Sequence, residues 1–234
     1  MLDTNKLYHL DCLEGFKQLD DNSVDLVLTD PPYNISKENR FNSMGRKGID
    51  FGEWDKGFNQ VDWIKSVAPK VKKGGSIVIF NSVQNIGTVI DALETNGFTY
   101  KQLGFYRKTN PMPRNRDRLY VTATEVFIWA VKGRGWTFNR QRETYENAIF
   151  DYPTVHHKER IHSTQKPVGL MEDLIKIHSN EGDLVLDCFS GSASTLIAAK
   201  NLNRSYIGFE LDDINYKNSK DRLDKTEMTD ITTH

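Results

Sequence analysis

The sequence predicts an α/β fold on a doubly wound, mostly parallel, seven-stranded sheet. Three observations lead there. Short β-branched or apolar runs recur along the chain, helical patterns stand between them, and the runs are continuously apolar rather than alternating. Continuous apolar runs mark strands covered on both faces. Leu7–Leu10 opens the series, and Val24–Thr29 follows, stopped by Pro31-Pro32. Ser76–Phe80 comes after a Gly-Gly pair, and Leu103–Arg107 is the weakest of the set. Glu125–Val131, Leu184–Cys188 and Ser205–Glu210 complete it. The helices are read at Val61–Ala68, at Ile86–Asn96 before Gly97, at Val168–His178 and at Thr195–Leu202. Two long irregular stretches remain, 34–56 and 110–162, the second interrupted by the strand at 125–131. Stretches of that length inside a compact domain are commonly functional.

The 234 residues, 38% of them hydrophobic and 11% aromatic, suffice for one domain spanning 1–234 and exclude a mainly disordered chain. No apolar run reaches the roughly 18–20 residues of a membrane span. The first residues, Met1-Leu2-Asp3-Thr4-Asn5-Lys6, carry no apolar signal region. Cys12 and Cys188, the only cysteines, lie at the ends of buried strands, which argues against a disulfide framework or a thiolate metal site. A cytoplasmic protein without membrane partners is expected. The net charge of -1 conceals an asymmetry: Lys101–Arg142 holds ten lysines and arginines against two acids. Such a block reads as a phosphate-facing surface in preference to an ordinary solvated face.

Two motifs carry chemistry. Asp30-Pro31-Pro32-Tyr33 follows a buried strand directly, at the sheet end where open α/β folds bind ligands. An Asp-Pro pair alone reads as a turn. Here two prolines remove N–H groups and leave carbonyls unpaired beside a carboxylate and an aromatic ring. That trio suits a planar base with an exocyclic amine: Asp30 and the Pro31 carbonyl each accept an N–H, and Tyr33 stacks. The second motif, Asp187-Cys188-Phe189-Ser190-Gly191-Ser192-Ala193-Ser194-Thr195, is a strand, a small-residue turn and a helix start. Its backbone N–H groups are placed to approach a ligand closely. Glu210 ends the next strand, at the distance where an acid commonly accepts both hydroxyls of a ribose. The turn is not G-x-G-x-x-G, which disfavours a dinucleotide and leaves a nucleoside-containing cofactor. The two sites meet only if their strands are neighbours at the switch point of the sheet.

With these motifs in this order, the sequence resembles the β class of DNA amino-methyltransferases. His162-Ser163-Thr164-Gln165-Lys166-Pro167 is similar to the H-P-T-Q-K-P element of that class, and Tyr106-Arg107-Lys108-Thr109-Asn110 to its aromatic-x-K-x-N strand end. The resemblance covers essentially the whole chain. It implies a class I fold, S-adenosylmethionine as cofactor and methyl transfer to the N6 amine of adenine in double-stranded DNA by base flipping. Cytosine-N4 transfer, or a cofactor-binding DNA module with weak turnover, are the alternatives. It assigns Asp30, Pro31, Pro32 and Tyr33 to catalysis. Cofactor binding falls to Asp11, Asp30, Lys166, Asp187, Phe189, Ser190, Gly191, Ser192, Ala193, Thr195 and Glu210. Ala193 stands where the family's F-x-G-x-G has its second glycine, and if that position needs φ > 0, alanine costs about 1 kcal/mol.

The DNA-facing set is Lys37, Arg40, Arg46 and Lys47 in a mobile loop over 34–56, with Arg107, Lys108, Arg114, Arg116, Arg118, Lys132, Arg134, Arg140 and Arg142 around a target-recognition insertion at 108–162. Arginines there are suited to guanine edges. Asn110–Asn115 resembles small members paired with restriction endonucleases of asymmetric purine-rich sites such as GAGG. A cognate nuclease would then be a functional and not a physical partner, and a homodimer is the class expectation. No metal is expected: H-E-x-x-H and C-x-x-C spacings are missing, and His156-His157 reads as a loop or phosphate contact.

Overall fold

A computed structural model describes residues 2–33, 59–113, 117–162 and 164–226. Eight strands and six α-helices follow in chain order: β1 Lys6–His9, α1 Cys12–Phe16, β2 Val24–Thr29, α2 Asp62–Val67, β3 Val71–Asn81, α3 Ile86–Thr95, β4 Phe98–Lys108, β5 Thr124–Lys132, β6 Ile149–Tyr152, α4 Val168–His178, β7 Leu184–Asp187, α5 Ser194–Asn201, β8 Ser205–Glu210 and α6 Asp213–Lys225. They form one sheet in the order β1-β8-β7-β2-β3-β5-β4-β6. Only β5 runs against the others, pairing antiparallel with both β3 and β4.

The central strands β2, β3, β5, β7 and β8 carry apolar runs because both faces are covered. On β2, Val27 packs into one core and its neighbours Leu26 and Leu28 into the other. Ile77 and Ile79 alternate in the same way with Val78 and Phe80 on β3. One core carries buried residues of α1, α2 and α3, and the other carries those of α4 and α5. Each fully buried Leu, Ile or Val contributes roughly 1.5–3 kcal/mol relative to exposure.

The sheet has eight strands, not seven. The additional one, Ile149–Tyr152, lies at the edge, parallel to β4 from Phe105↔Ile149 to Lys108↔Tyr152. Its residues are exposed or half-buried and it carries an acid, so it lacks the apolar run of the interior strands. Asp151 on it pairs with Arg107 of β4 (2.5 and 2.6 Å), which fixes the register. The strand at 76–80 extends back to Val71 through the two glycines, with a register shift against β2 between Val24 and Leu26. Among the described residues no helix is long and apolar enough to cross a membrane, and no group of three or more His, Cys, Asp or Glu is placed to hold a metal. Cys12 and Cys188 are buried and free.

Helix α5 lies close against β8. A Cβ on Gly208 would fall 2.4 Å from Ser190 Oγ and 2.5 Å from Leu196 Cδ1. Gly208→Ala is therefore expected to lower stability by about 1–3 kcal/mol in urea unfolding. An unchanged midpoint would contradict this close approach.

Candidate active site

Strands β2 and β7 lie side by side, paired at Leu26↔Val185 and Val27↔Leu186. Both motifs therefore leave the same rim of the sheet from adjacent strands, the position at which such sheets bind ligands. Across the junction Thr29 Oγ1 donates to Asp187 Oδ1 at 2.8 Å. The two strand ends open on a cleft of about 1690 Å³, whose lining includes Asp11, Asp30, Trp63, Tyr106, Phe189 and Glu210.

The Asp30–Tyr33 corner is held by side-chain amides. Gln60 Nε2 donates to the Pro32 carbonyl (2.5 Å) and Asn85 Nδ2 to that of Tyr33 (2.9 Å). Asn81 ties the two amides together, donating to Gln60 Oε1 and accepting from Asn85 Nδ2, each at 2.8 Å. Nothing among the described residues donates to the Pro31 carbonyl. Asp30 accepts from the Tyr33 hydroxyl on Oδ1 and from Lys166 Nζ on Oδ2. Tyr33 thus carries a hydrogen bond that its expected stacking role does not include.

Lys166 is 5% exposed and has a second carboxylate at its ammonium, Glu125 Oε2 at 3.1 Å. Glu125 Oε1 in turn meets Lys108 Nζ at 2.7 Å. Burial pushes Glu125 up, but Lys166 and Lys108 outweigh it and hold the carboxyl down to about 2. Burial likewise opposes the charge on Lys166, and Asp30 and Glu125 together raise it above the usual lysine range. Tyr106 lines the same cleft; its hydroxyl is buried with no hydrogen-bond partner among the described residues, and that burial pushes it up to about 12.

The turn after β7 contains two left-handed residues, Gly191 (φ 48°) and Ala193 (φ 60°). The position that the family pattern gives to glycine thus does adopt positive φ. Alanine there costs about 1–2 kcal/mol, and its methyl, wholly buried in the core, offsets roughly half of that at about 0.8 kcal/mol per carbon. The turn is tied on all sides. Ser190 N–H donates to Phe209 O (2.9 Å), Ser194 Oγ to Lys166 O (2.8 Å), Arg222 Nη1 to Ser192 O (2.6 Å) and Ser219 Oγ to Gly191 O. Glu210 accepts Gly191 N–H on Oε2 (2.8 Å) and Asp212 N–H on Oε1 (2.9 Å). Phe189 stands edge-on to Trp63 with centroids 5.4 Å apart. Asp11 caps α1, accepting Leu13 N–H at 2.7 Å. Asp187 is pushed up to about 7 by burial, against hydrogen bonds from Thr29, the Phe189 N–H and Thr195.

The structure thus brings Asp11, Asp30, Pro31, Pro32, Tyr33, Lys166, Phe189, Gly191 and Glu210 to the main cleft. Asp187, Ser190, Ser192 and Thr195 line a smaller recess behind it. The basic block is dispersed. Arg107 is paired with Asp151, Lys108 with Glu125, and Arg140 donates to Thr144 O. Lys132 donates to Ala68 O and Val71 O, at the sheet end opposite Asp30, and Arg134 follows it at that end. These residues are not brought to the cleft as a phosphate-facing group, Lys108 excepted, and its ammonium is turned onto Glu125. Arg118 and Arg142 are exposed. Lys37, Arg40, Arg46, Lys47, Arg114 and Arg116, with the loop at 34–56, lie outside the described residues. Glu125, Thr29, Gln60, Asn81, Ser219 and Arg222 went unread as site residues. Each acts through contacts with residues distant in sequence, which no local spacing reveals.

A carboxyl held near 7 in the fold and near 3.8 when unfolded stabilises below pH 3.8, and that stability is lost as pH rises towards 7. The melting temperature of the ligand-free protein should therefore fall from pH 4 to pH 7 relative to Asp187→Asn. Parallel curves for the two proteins would contradict the environment assigned to Asp187.

A family model described as DNA methylase, N6_N4_Mtase, matches residues 24–221. Type II methyltransferase M2.MboI of Moraxella bovis is 31% identical over 223 residues, covering 87% of this chain and 82% of its own. M2.DpnII of Streptococcus pneumoniae, also a Type II methyltransferase, is 31% identical over 244 residues, covering 95% and 91%. Among solved structures, the M1.HpyAVI–SAM complex is similar with a TM-score of 0.76 and 38% identity, over 93% of this chain and 98% of that one. The cytosine-N4-specific PvuII DNA methyltransferase shares the fold, with a TM-score of 0.75 at 20% identity, over 95% of this chain and 87% of that one. With a match running from the second strand into the last helix, the chain belongs to the N6_N4_Mtase family of DNA methylases.

Proposed function

We propose that this protein transfers a methyl group from S-adenosylmethionine to the N6 amine of adenine in duplex DNA, taking the base out of the helix into the cleft. The observation that carries this reading is the Pro31 carbonyl, unpaired among the described residues, and the Asp30 carboxylate standing one strand away from the turn after β7. The residues fit the cofactor. Asp187 is a buried carboxylate with no cation beside it among the described residues, which suits the amino group of a methionine moiety. Each Glu210 oxygen spends one acceptor site on a backbone N–H and keeps another for a ribose hydroxyl. When bound, S-adenosylmethionine supplies an electrophilic methyl carbon on a positively charged sulfur.

An adenine amine is a poor nucleophile because its lone pair is delocalised into the ring. Hydrogen bonds from its two N–H groups to Asp30 and the Pro31 carbonyl draw the nitrogen towards a tetrahedral shape and localise that lone pair. The amide network behind Pro32 and Tyr33 fixes the corner, so little reorganisation remains at the moment of reaction. Leu119 and the fully exposed Tyr120 line the cleft mouth and offer apolar surface to an extruded nucleotide. Arg118 beside them and the basic residues of 34–56 remain the proposed phosphate contacts.

Tritium from labelled S-adenosylmethionine should appear on adenine N6 of duplex DNA. Asp30→Asn should keep cofactor binding and lose at least about a hundredfold in turnover, the scale of one transition-state hydrogen-bonding group. Label on cytosine N4 would replace adenine as the target. Binding of DNA and cofactor without transfer would leave a binding module in place of an enzyme.

A further inference from the structure

We propose that Glu125 is a positioning residue, holding the Lys166 ammonium on one oxygen of Asp30 and so keeping acceptor capacity on that carboxylate for the substrate amine. The inference rests on the methyl-transfer reading. Asp30 carries both a hydroxyl donor, Tyr33 on Oδ1, and a buried ammonium, Lys166 on Oδ2. A carboxylate has about four acceptor sites; with the hydroxyl and the ammonium taking one each, about two stay open to an amine N–H, and an ammonium straddling both oxygens would fill Oδ1 and leave about one.

The protein contains the contrasting case. Lys72 faces Asp25 with no second carboxylate beside it among the described residues, and its Nζ lies 2.7 Å from Oδ1 and 2.8 Å from Oδ2. Lys166 differs in having Glu125 Oε2 at 3.1 Å on its other side, and it touches Asp30 through Oδ2 alone. Glu125 is in turn anchored by Lys108 Nζ at 2.7 Å on its second oxygen. Two carboxylates and two ammoniums alternate along this chain, so the buried charges cancel. The arrangement also gives Lys108 a role within the protein. It orients Glu125.

The test is Glu125→Gln, which keeps the shape and removes the charge, examined by crystallography and by steady-state kinetics. Lys166 Nζ is expected to move within hydrogen-bonding distance of both Asp30 oxygens. The kcat for methyl transfer should fall about tenfold or more, with KM for DNA and cofactor unchanged within about twofold. Glu125→Asp, which keeps the charge, should recover most of the kcat. An unmoved Lys166, a wild-type kcat, a loss confined to KM, or no recovery in E125D would each overturn the proposal. Should E125Q fold poorly, E125Q/K108Q removes one charge of each sign and must show the same displacement and the same kcat loss; wild-type behaviour of that double variant would overturn it equally. If the wild-type protein transfers no methyl group to DNA, the functional reading fails, and the Lys166 position in E125Q still decides the role of Glu125.

Discussion

The adjacency of β2 and β7 is the constraint on which the site depends. A strand ending in Thr29-Asp30-Pro31-Pro32 and one ending in Asp187 are far apart in sequence, and parallel pairing puts their C-terminal ends on one rim. The Thr29–Asp187 hydrogen bond then locks the two ends together in a place shielded from water. Little else is needed to set a pocket for an amine-bearing base beside a turn for a nucleoside cofactor. The remaining helices and loops support these two corners: α6 through Ser219 and Arg222, and the segment before α3 through Asn81 and Asn85.

Electrostatics divide the cleft into two halves with different solutions to burial. On the base side, Asp30, Lys166, Glu125 and Lys108 alternate in sign, so each buried charge has a partner of opposite sign beside it. Removing one member of such a chain strands its neighbour, a change that commonly costs several kcal/mol. On the cofactor side Asp187 has hydrogen bonds but no cation among the described residues, and burial lifts its affinity for a proton. A site already neutral on one side and short of a positive charge on the other is matched to a cationic donor and a neutral base.

Much of the fold was legible because the interior strands are covered on both faces and therefore carry continuous apolar runs, as in Leu26–Leu28 and Ile77–Phe80. Helix α4 was legible to the residue because its apolar positions keep a helical period. The edge strand β6 and helix α6 were not. β6 buries too little to require an apolar run, and α6 presents few apolar residues besides Ile214, Tyr216 and Leu223. The two motifs named the cleft because their chemistry is local: prolines, glycine and carboxylates within one turn. The basic block shows the limit of such a reading. A cation's sequence neighbours say nothing about the acid or carbonyl it meets, and Arg107, Lys108 and Lys132 all found partners inside the protein.

The most direct measurement is a crystal structure of the protein with S-adenosylmethionine bound. The methyl carbon should face the Asp30–Pro31 corner, about 3–3.5 Å from where an amine nitrogen hydrogen-bonded to both would lie. The methionine end should contact the turn after β7, and the ribose Glu210. A cofactor seated at the opposite end of the sheet, or with its methyl turned away from Pro31, would contradict the shared cleft.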